Sequence, residues 1–322
     1  MSWVRVPAKT QHPVKCVISS VEERYPDTVE VKSSNLLSRT KNNINILMNI
    51  SYDKNGWTVI IDNDIKSLSD EEIQQVARLC VSNMVVVFKN QKLTPEEELR
   101  ICSVIGDHQC YPANFERLKH IRLNDGILRV TGKKNDQGEE GLFGHTSALD
   151  WHANQTSNKD RKPLIWLYGV EGTIGSRTSW INNIVSYENL PEDTKNKIKD
   201  IKLYCGYKTG KYSTSTFFVE HINKENLMNL VQTNKEGKTG LYFPFLQIFG
   251  FDSYDEKDFR SIMDELIPHV LKPEFCYHHD WEDGDIVISE QWLSIHKRWE
   301  FEHMDKRILH RIAFNYNKVY PN

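Results

Sequence analysis

Short strand-like runs of apolar residues recur along most of the chain. These runs are GWTVIID (56–62), MVVVF (84–88), ILRVTG (127–132), LIWLYGV (164–170), TSWI (178–181), GLYF (240–243) and DIVIS (285–289). The continuous apolar run at 84–88 is typical of a strand that is buried on both faces. Many short strands with few helices favour a barrel or a jelly roll.

Three helix starts are marked by a hydroxyl residue that is followed three positions later by a glutamate. In such a capping box the hydroxyl and the carboxylate each accept a backbone N–H that would otherwise lack a partner. The pairs are Ser69 with Glu72, Thr94 with Glu97, and Ser253 with Glu256. They predict helices over roughly 70–82, from Pro95 onward, and over 253–271, and a shorter polar helix is predicted near 191–200.

The chain divides by composition into two parts. Residues 1–54 are polar and rich in Ser, Asn and Lys, which predicts a loosely specified, β-rich N-terminal extension. Residues 55–322 show no internal repeat and no linker, so they are expected to form one domain of catalytic size. The predicted class is α+β, mainly β, with a jelly roll and flanking helices.

Charge and composition narrow the range of partners. With 41 Lys and Arg against 44 Asp and Glu, the net charge of −3 argues against a mainly electrostatic attachment to nucleic acid or to an anionic membrane. No run approaches the ~20 apolar residues that span a bilayer. The six cysteines form no CxxC pair and the first residues lack a signal-peptide pattern, so a cytoplasmic, reducing setting is expected.

Candidate metal ligands occur in the segment LDWHAN. Asp150, His152 and Asn154 alternate there, so they would share one face of an extended segment. A distant second histidine, His296, completes the sequence form of a two-histidine, one-carboxylate site for Fe(II). Arg311 follows fifteen residues later among apolar neighbours, and its guanidinium could form a bidentate bond with an anionic cosubstrate.

With these residues the sequence resembles the taurine and 2,4-dichlorophenoxyacetate dioxygenases, which depend on Fe(II) and 2-oxoglutarate. The resemblance covers about residues 55–316 and rests on the segments GWTVIIDNDIKSLSDEEIQQVARLCVSNMVVVFKNQKLTPEEE, WHAN, SRTSW, KPEF, GDIVISEQWLSIH and LHRIAF. It implies a double-stranded β-helix, with His152 and His296 as metal ligands. It also implies that Thr178 and Arg311 hold the distal carboxylate of 2-oxoglutarate.

The reaction that the resemblance implies consumes dioxygen and 2-oxoglutarate, releases succinate and CO2, and hydroxylates a small-molecule substrate. The family pattern is His-x-Asp, whereas this chain has Asn154 in the third position. Asn offers a neutral oxygen, which hard Fe(II) favours less than a carboxylate.

Four interpretations of Asn154 stay open. It is a weak third ligand in a working enzyme, Asp150 supplies the carboxylate, chloride completes the site as in related halogenases, or catalysis is lost and the fold only binds a ligand. Those halogenases have Gly or Ala here, whereas Asn keeps nearly the volume of Asp. Hydroxylation is therefore the prediction, with Asn154 in the ligand set.

Residues near His296 give a weaker indication of the substrate. Lys297, Arg298 and Arg307 could bind an anionic substrate, although Arg307 could instead support 2-oxoglutarate. Trp292 and Trp299 flank His296 and could line a pocket. The substrate itself and the oligomeric state are left open by these residues.

Overall fold

The computed structural model describes residues 48–111, 122–138, 140–141, 143–144, 147–156, 161–206 and 227–321. The strands in these ranges are β1 (Ile50–Tyr52), β2 (Val59–Ile61), β3 (Val85–Phe88), β4 (Leu128–Val130), β5 (Leu149–His152), β6 (Leu164–Glu171), β7 (Arg177–Asn182), β8 (Lys202–Cys205), β9 (Met228–Asn229), β10 (Val231–Thr233), β11 (Thr239–Leu241), β12 (Ile248–Phe251), β13 (Cys276–Asp280), β14 (Ile286–Glu290), β15 (Ser294–Arg298) and β16 (Ile308–Phe314). The helices are α1 (Asp70–Asn83), α2 (Pro95–Ile105), α3 (Asn183–Glu188), α4 (Glu192–Ile198) and α5 (Glu256–Val270).

A seven-stranded sheet has the order β1-β2-β3-β14-β6-β16-β4. Only the β2–β3 pair in it is parallel. Its side chains alternate between two faces, as the period of a strand requires. On β14, Ile286 and Ile288 face the core beneath the helices, whereas Val287 belongs to a different buried cluster and Ser289 lines a cavity.

A four-stranded sheet, β13-β7-β15-β5, lies across that cavity. Its apolar side chains Trp180 and Tyr277 pack with Val287 and Leu309 of the seven-stranded sheet. Two largely antiparallel sheets that share a buried interior confirm the predicted jelly roll, the double-stranded β-helix. The inward positions that are not filled by apolar residues carry the candidate chemistry.

Helices α1 and α2 cover the outer face of the seven-stranded sheet. Apolar positions three and four residues apart place Ile73, Val76, Ala77 and Cys80 of α1 on one buried stripe. Packing of this kind of stripe supplies most helical stability in proteins. Both predicted capping boxes are present, at Ser69 and at Thr94, with Pro95 in the first turn.

The third predicted capping box is wrong. Helix α5 begins at Glu256, and its cap is Asp255, whose carboxylate accepts from the backbone N–H of Asp258. Ser253 lies upstream with a positive φ of 66°, outside the helix. An aspartate is at least as good a cap as a serine, and Asp255 directly precedes the first helical residue.

Helix α5 and a small sheet, β12-β8-β9, form the second core of the domain around Leu203, Phe251 and Phe259. The predicted strand at 240–243 is only partly confirmed, because β11 ends at Leu241. Strand β1 lies inside the predicted extension 1–54 and pairs with β2, so the sheet starts upstream of that boundary. No helix among the described residues is long and apolar enough to cross a membrane.

Candidate active site

Two histidines from neighbouring strands meet at the cavity between the sheets. His152 ends β5, His296 lies in β15, and the two are direct register partners. Their ring centroids are 4.2 Å apart with a 50° angle between the planes. The predicted pair is therefore brought together by the pairing of two strands that are more than a hundred residues apart in sequence.

The surroundings of both rings favour the neutral imidazole. Burial lowers the pKa of His152 to about 4, against a smaller opposing effect of the Asp150 carbonyl. Burial also lowers the pKa of His296 well below its usual value, and His152 and Arg311 act in the same direction. The Nδ1 of His152 donates to the Asp150 carbonyl oxygen at 2.6 Å, which leaves Nε2 as the atom with a lone pair.

Asn154 lies beside this pair and lines the same cavity. Its Nδ2 is 3.5 Å from His296 Nε2 and donates to Gln291 Oε1 at 3.0 Å. Three nitrogen and oxygen groups thus converge, two imidazoles and one amide. The described residues contain no cluster of three or more His, Cys, Asp or Glu that could hold a metal, which is consistent with an amide in the third position.

The Asp150 carboxylate does not reach this group. Its side chain is 51% exposed and forms an ion pair with Lys297, with 3.2 Å between Oδ1 and Nζ. Regular alternation would have placed it on the face of His152, but the register shifts within β5: His152 pairs with His296, whereas Arg298 pairs with Leu149 instead of Asp150. The interpretation in which Asp150 supplies the missing carboxylate is therefore not supported by the structure.

Arginines form the other end of the cavity. Arg298, Arg307 and Arg311 all line it, and each is at least 93% buried. Arg298 donates to the carbonyl oxygens of Phe143 and Ser147, both at 2.7 Å. Arg311 has one long contact, 3.4 Å from its Nη1 to the hydroxyl of Tyr111.

Arg307 is the least satisfied of the three. Only 1% of it is exposed, and its Nε and Nη1 have no hydrogen-bond partner within the described part of the chain. Burial lowers its pKa to about 9 and that of Arg298 to about 10, so both guanidiniums stay charged at neutral pH. A buried, charged donor without an acceptor is costly, which indicates a site for an anion.

Thr178 lies on β7 at the arginine end. It is the register partner of Arg298, and it faces the cavity. Its Oγ1 accepts a hydrogen bond of 2.9 Å from the indole Nε1 of Trp281. Because that bond uses a lone pair of the hydroxyl, the hydroxyl hydrogen is free to point to an acceptor in the cavity.

The cavity has a volume of about 530 Å³ with its open mouth included. All the predicted site residues line it: His152, Asn154, Thr178, His296 and Arg311. The remaining described lining is largely apolar, and it contains no carboxylate.

Three residues suggested by the sequence lie elsewhere. Trp292 is not part of the cavity lining and stacks on Arg161 instead. Trp299 is 39% exposed and bonds Ser179 through its indole, while Lys297 pairs with Asp150. Gln291 and Trp281 were missed as supports of the site, because nothing in their local sequence indicates which side chain they contact across the sheets.

Comparison with known proteins identifies the family of this chain. Residues 57–313 match the family described as "Taurine catabolism dioxygenase TauD, TfdA family". The pentalenolactone F synthase of Streptomyces avermitilis is 20% identical over 273 residues, which cover 77% of this chain and 86% of that protein. The (S)-phenoxypropionate/alpha-ketoglutarate-dioxygenase of Sphingobium herbicidovorans is 25% identical over 242 residues, which cover 70% and 79% of the two chains.

Among solved structures, that of AAD-2 in complex with Mn(II) and N-oxalylglycine has the same fold. It superposes with a TM-score of 0.67 at 21% identity, over 82% of this chain and 96% of that chain. The family match covers most of the chain, including every residue of the site described above. The chain therefore belongs to the TauD/TfdA family and is an oxidoreductase, a dioxygenase that depends on Fe(II) and 2-oxoglutarate.

Proposed function

We propose that this enzyme hydroxylates a small, anionic organic molecule, with Fe(II) held by His152, Asn154 and His296. The observation that carries the proposal is the pairing, in one cavity, of two neutral imidazoles with a buried guanidinium that lacks an acceptor. The first group suits a cation and the second suits a carboxylate. Dioxygen and a small-molecule substrate are its reaction partners.

The three residues at the metal end fit Fe(II). Neutral imidazole and an oxygen donor are both suitable ligands for this metal, and a set of three leaves other coordination positions open. Burial keeps both histidines unprotonated, so protons do not compete with the metal at neutral pH. The Asn154 amide replaces a carboxylate by a neutral oxygen, which predicts weaker metal affinity than an aspartate in an otherwise favourable site.

The order of residues along the cavity supports an assignment for 2-oxoglutarate. Arg311 influences the pKa of both histidines, whereas Arg298 influences that of His152 alone, so Arg311 is the arginine nearest the metal end. Thr178 pairs with Arg298, whose charge in turn acts on Arg307, so these three lie close to one another. We assign the distal carboxylate to Thr178 and Arg307, and the carboxylate at the metal end to Arg311. Arg311 would then not have the distal role that the resemblance implies.

Charge supports an anionic substrate. Three guanidiniums line the cavity, and no carboxylate among the described lining residues offsets them. The two negative charges of 2-oxoglutarate balance the two positive charges of Fe(II), so the positive charges of the arginines remain in excess. A substrate carboxylate would reduce that excess in a buried setting. The similar protein from Sphingobium herbicidovorans is named for (S)-phenoxypropionate, itself a carboxylate.

When bound, iron and 2-oxoglutarate supply the oxidising chemistry, and the protein supplies position and shelter. Thr178 and Arg307 hold the cosubstrate at its far end, while apolar residues such as Leu167 and Leu309 exclude water. Hydroxylation is favoured over halogenation because the side chain of Asn154, held by Gln291, lies in the third position, where a halide would need space. The five cysteines in the described residues are free, which supports a reducing, cytoplasmic setting.

The proposal is tested by adding Fe(II) and 2-oxoglutarate to the protein without oxygen and following the visible absorption band of the iron chelate. Titration of that band gives the affinity for 2-oxoglutarate. Arg307→Met is expected to weaken it by roughly tenfold to a hundredfold, because it removes a charge-assisted bond. Arg311→Met is expected to weaken it less.

Arg177→Met is the matched control, since Arg177 adjoins Thr178 in sequence but its side chain pairs with Asp280 at the surface. It should leave the affinity unchanged. A larger loss with Arg311→Met than with Arg307→Met would return the distal role to Arg311. If the protein shows no band, and forms no succinate after oxygen is admitted, the proposed function is contradicted.

A further inference from the structure

Gln291 contacts the metal end without lining the cavity. It is 1% exposed and stands at the turn between β14 and β15. Its Oε1 accepts from Asn154 twice, from Nδ2 at 3.0 Å and from the backbone N–H at 3.4 Å. Its Nε2 donates to Ser289 Oγ at 3.2 Å and to the Glu290 carbonyl oxygen at 3.4 Å.

These four contacts fix which way the Gln291 amide points. The carbonyl of Glu290 can only accept, and the backbone N–H of Asn154 can only donate. The reversed amide would set two donors against each other at Asn154 and two acceptors against each other at Glu290. Gln291 therefore presents an oxygen, not a nitrogen, to the third position of the site.

The orientation of Asn154 follows from that of Gln291. Since Oε1 of Gln291 needs a donor, the Nδ2 of Asn154 faces it. The same Nδ2 lies 3.5 Å from Nε2 of His296, a contact that a bound metal would replace. The other amide atom of Asn154, Oδ1, accepts no hydrogen bond from the described residues and is left for a ligand in the cavity. An amide that donates through its nitrogen also carries more negative charge on its oxygen, as hydrogen bonds to outer partners do for other metal ligands.

A carboxylate in the third position would not suit this arrangement. Asn154→Asp would place an acceptor oxygen where Nδ2 now lies, 3.0 Å from Gln291 Oε1. Two acceptors at that distance repel each other, and turning Gln291 over would break its bond to Glu290. The surroundings of position 154 are thus complementary to an amide.

We propose that Gln291 is a positioning residue that directs the Asn154 oxygen to the metal, and that the site is built for Asn rather than being a damaged Asp site. The inference rests on the proposed function, since it requires metal binding at His152 and His296. The departure from the His-x-Asp pattern is then explained by a second residue, Gln291, whose side chain is complementary to that of Asn154.

The test is the affinity of the full-length protein for Mn(II) alone, measured from the electron paramagnetic resonance signal of free Mn(II). Gln291→Met keeps the length of the side chain and removes the acceptor. In the natural sequence this change is expected to weaken Mn(II) binding roughly tenfold, within the range of lost outer-shell partners. In the Asn154→Asp background the same change removes a repulsion, so it is expected to strengthen binding about threefold or more.

Gln247→Met is the matched control. Gln247 is also buried, and it supports the same segment through the N–H and carbonyl of Ala153. Because it does not touch the Asn154 amide, its loss should change the affinity in the same direction in both backgrounds. The reversal of sign is therefore specific to Gln291.

A second variant covers the case in which Gln291→Met does not fold, as judged by circular dichroism. Gln291→Glu, neutral because burial disfavours the carboxylate, keeps an oxygen towards Asn154 and a donor towards the Glu290 carbonyl. We expect affinity within about threefold of the parent, and a loss of at least tenfold when it is combined with Asn154→Asp. Equal effects of the Gln291 changes in both backgrounds would overturn the inference and leave the proposed function standing. Absence of Mn(II) binding in the parent would overturn both.

Discussion

The two ends of the cavity are built on opposite principles. At the metal end, the candidate ligands His152, Asn154 and His296 are neutral, and the first two are oriented by hydrogen bonds to Asp150 and Gln291. At the other end, Arg298 and Arg307 keep their charge despite burial, and two nitrogens of Arg307 have no acceptor among the described residues. One end suits a cation and the other suits an anion.

The metal and 2-oxoglutarate together, and not the protein alone, therefore complete the site. Neutral ligands lose little when no metal is present, whereas an unpaired buried guanidinium is costly until a carboxylate arrives. We therefore expect the arginine end to govern how far 2-oxoglutarate stabilises the fold, and the metal end to govern specificity for the metal. The following substitutions test this difference.

The largest effect is expected from His296→Ala. It removes one of two imidazoles, so Mn(II) binding measured by electron paramagnetic resonance should fall by more than about a hundredfold, as expected for loss of a primary ligand. His278→Ala is the control, because His278 bonds Ser179 on the outer side of the same sheet. An unchanged affinity after His296→Ala would place the metal elsewhere.

The next effect concerns Glu290, whose buried side chain accepts hydrogen bonds within the turn that contains Gln291. Its Oε2 accepts from the N–H groups of Trp292 and Leu293, and burial raises its pKa from 4.5 to about 7. At this side chain the folded state then binds more protons than the unfolded state, so the contribution of Glu290 to stability falls as pH rises from about 4.5 to 7. A shift of this size corresponds to about 3 kcal/mol. The lowered pKa values of the two histidines at the metal end contribute in the opposite direction.

Glu290→Gln should remove that contribution, so its stability, measured by urea unfolding at several pH values between 4.5 and 7.5, should gain relative to the parent as pH rises. Glu300→Gln, at an exposed carboxylate, should follow the parent. The arginine end contributes nothing in this window, since the pKa values of Arg298 and Arg307 lie at about 10 and 9. A constant difference between the Glu290→Gln protein and the parent over this range would contradict the prediction.

A smaller effect is expected from Trp281→Phe. The change removes the indole donor that orients the Thr178 hydroxyl, a single hydrogen bond of about 1 kcal/mol, so the affinity for 2-oxoglutarate should fall about fivefold. Affinity for Mn(II) should stay the same. Trp299→Phe removes an equivalent bond, to Ser179 on the opposite face of β7, and should change neither affinity.

The smallest effect is expected from Asp150→Asn. The carboxylate is half exposed and pairs with Lys297, and exposed ion pairs contribute little. Mn(II) affinity should change by less than about twofold. A tenfold loss would mean that Asp150 reaches the metal, and it would restore the interpretation that the geometry disfavours.

The sequence predicted much of this arrangement where the signal was local or matched a family pattern. The capping residues Ser69 and Thr94 marked two helices, and the apolar run 84–88 marked β3. The predicted site residues, from His152 to Arg311, all line one cavity. Local hydrogen bonding and the alternation of strands are enough for such predictions.

What could not be predicted depends on contacts across the sheets. Nothing near Gln291 in sequence shows that its amide meets Asn154, which is 137 positions away. The same holds for Trp281 and Thr178, which are 103 positions apart. Asp150 was misplaced because regular alternation was assumed, whereas the register of β5 shifts between Leu149 and His152.

The most direct test of the account is a crystal structure of the protein with Mn(II) and N-oxalylglycine. The account predicts the metal on His152 Nε2, His296 Nε2 and Asn154 Oδ1, with Nδ2 of Asn154 still on Gln291. It also predicts the distal carboxylate of the analogue against Thr178 and Arg307. A metal bound without Asn154, or a distal carboxylate far from Arg307, would contradict it.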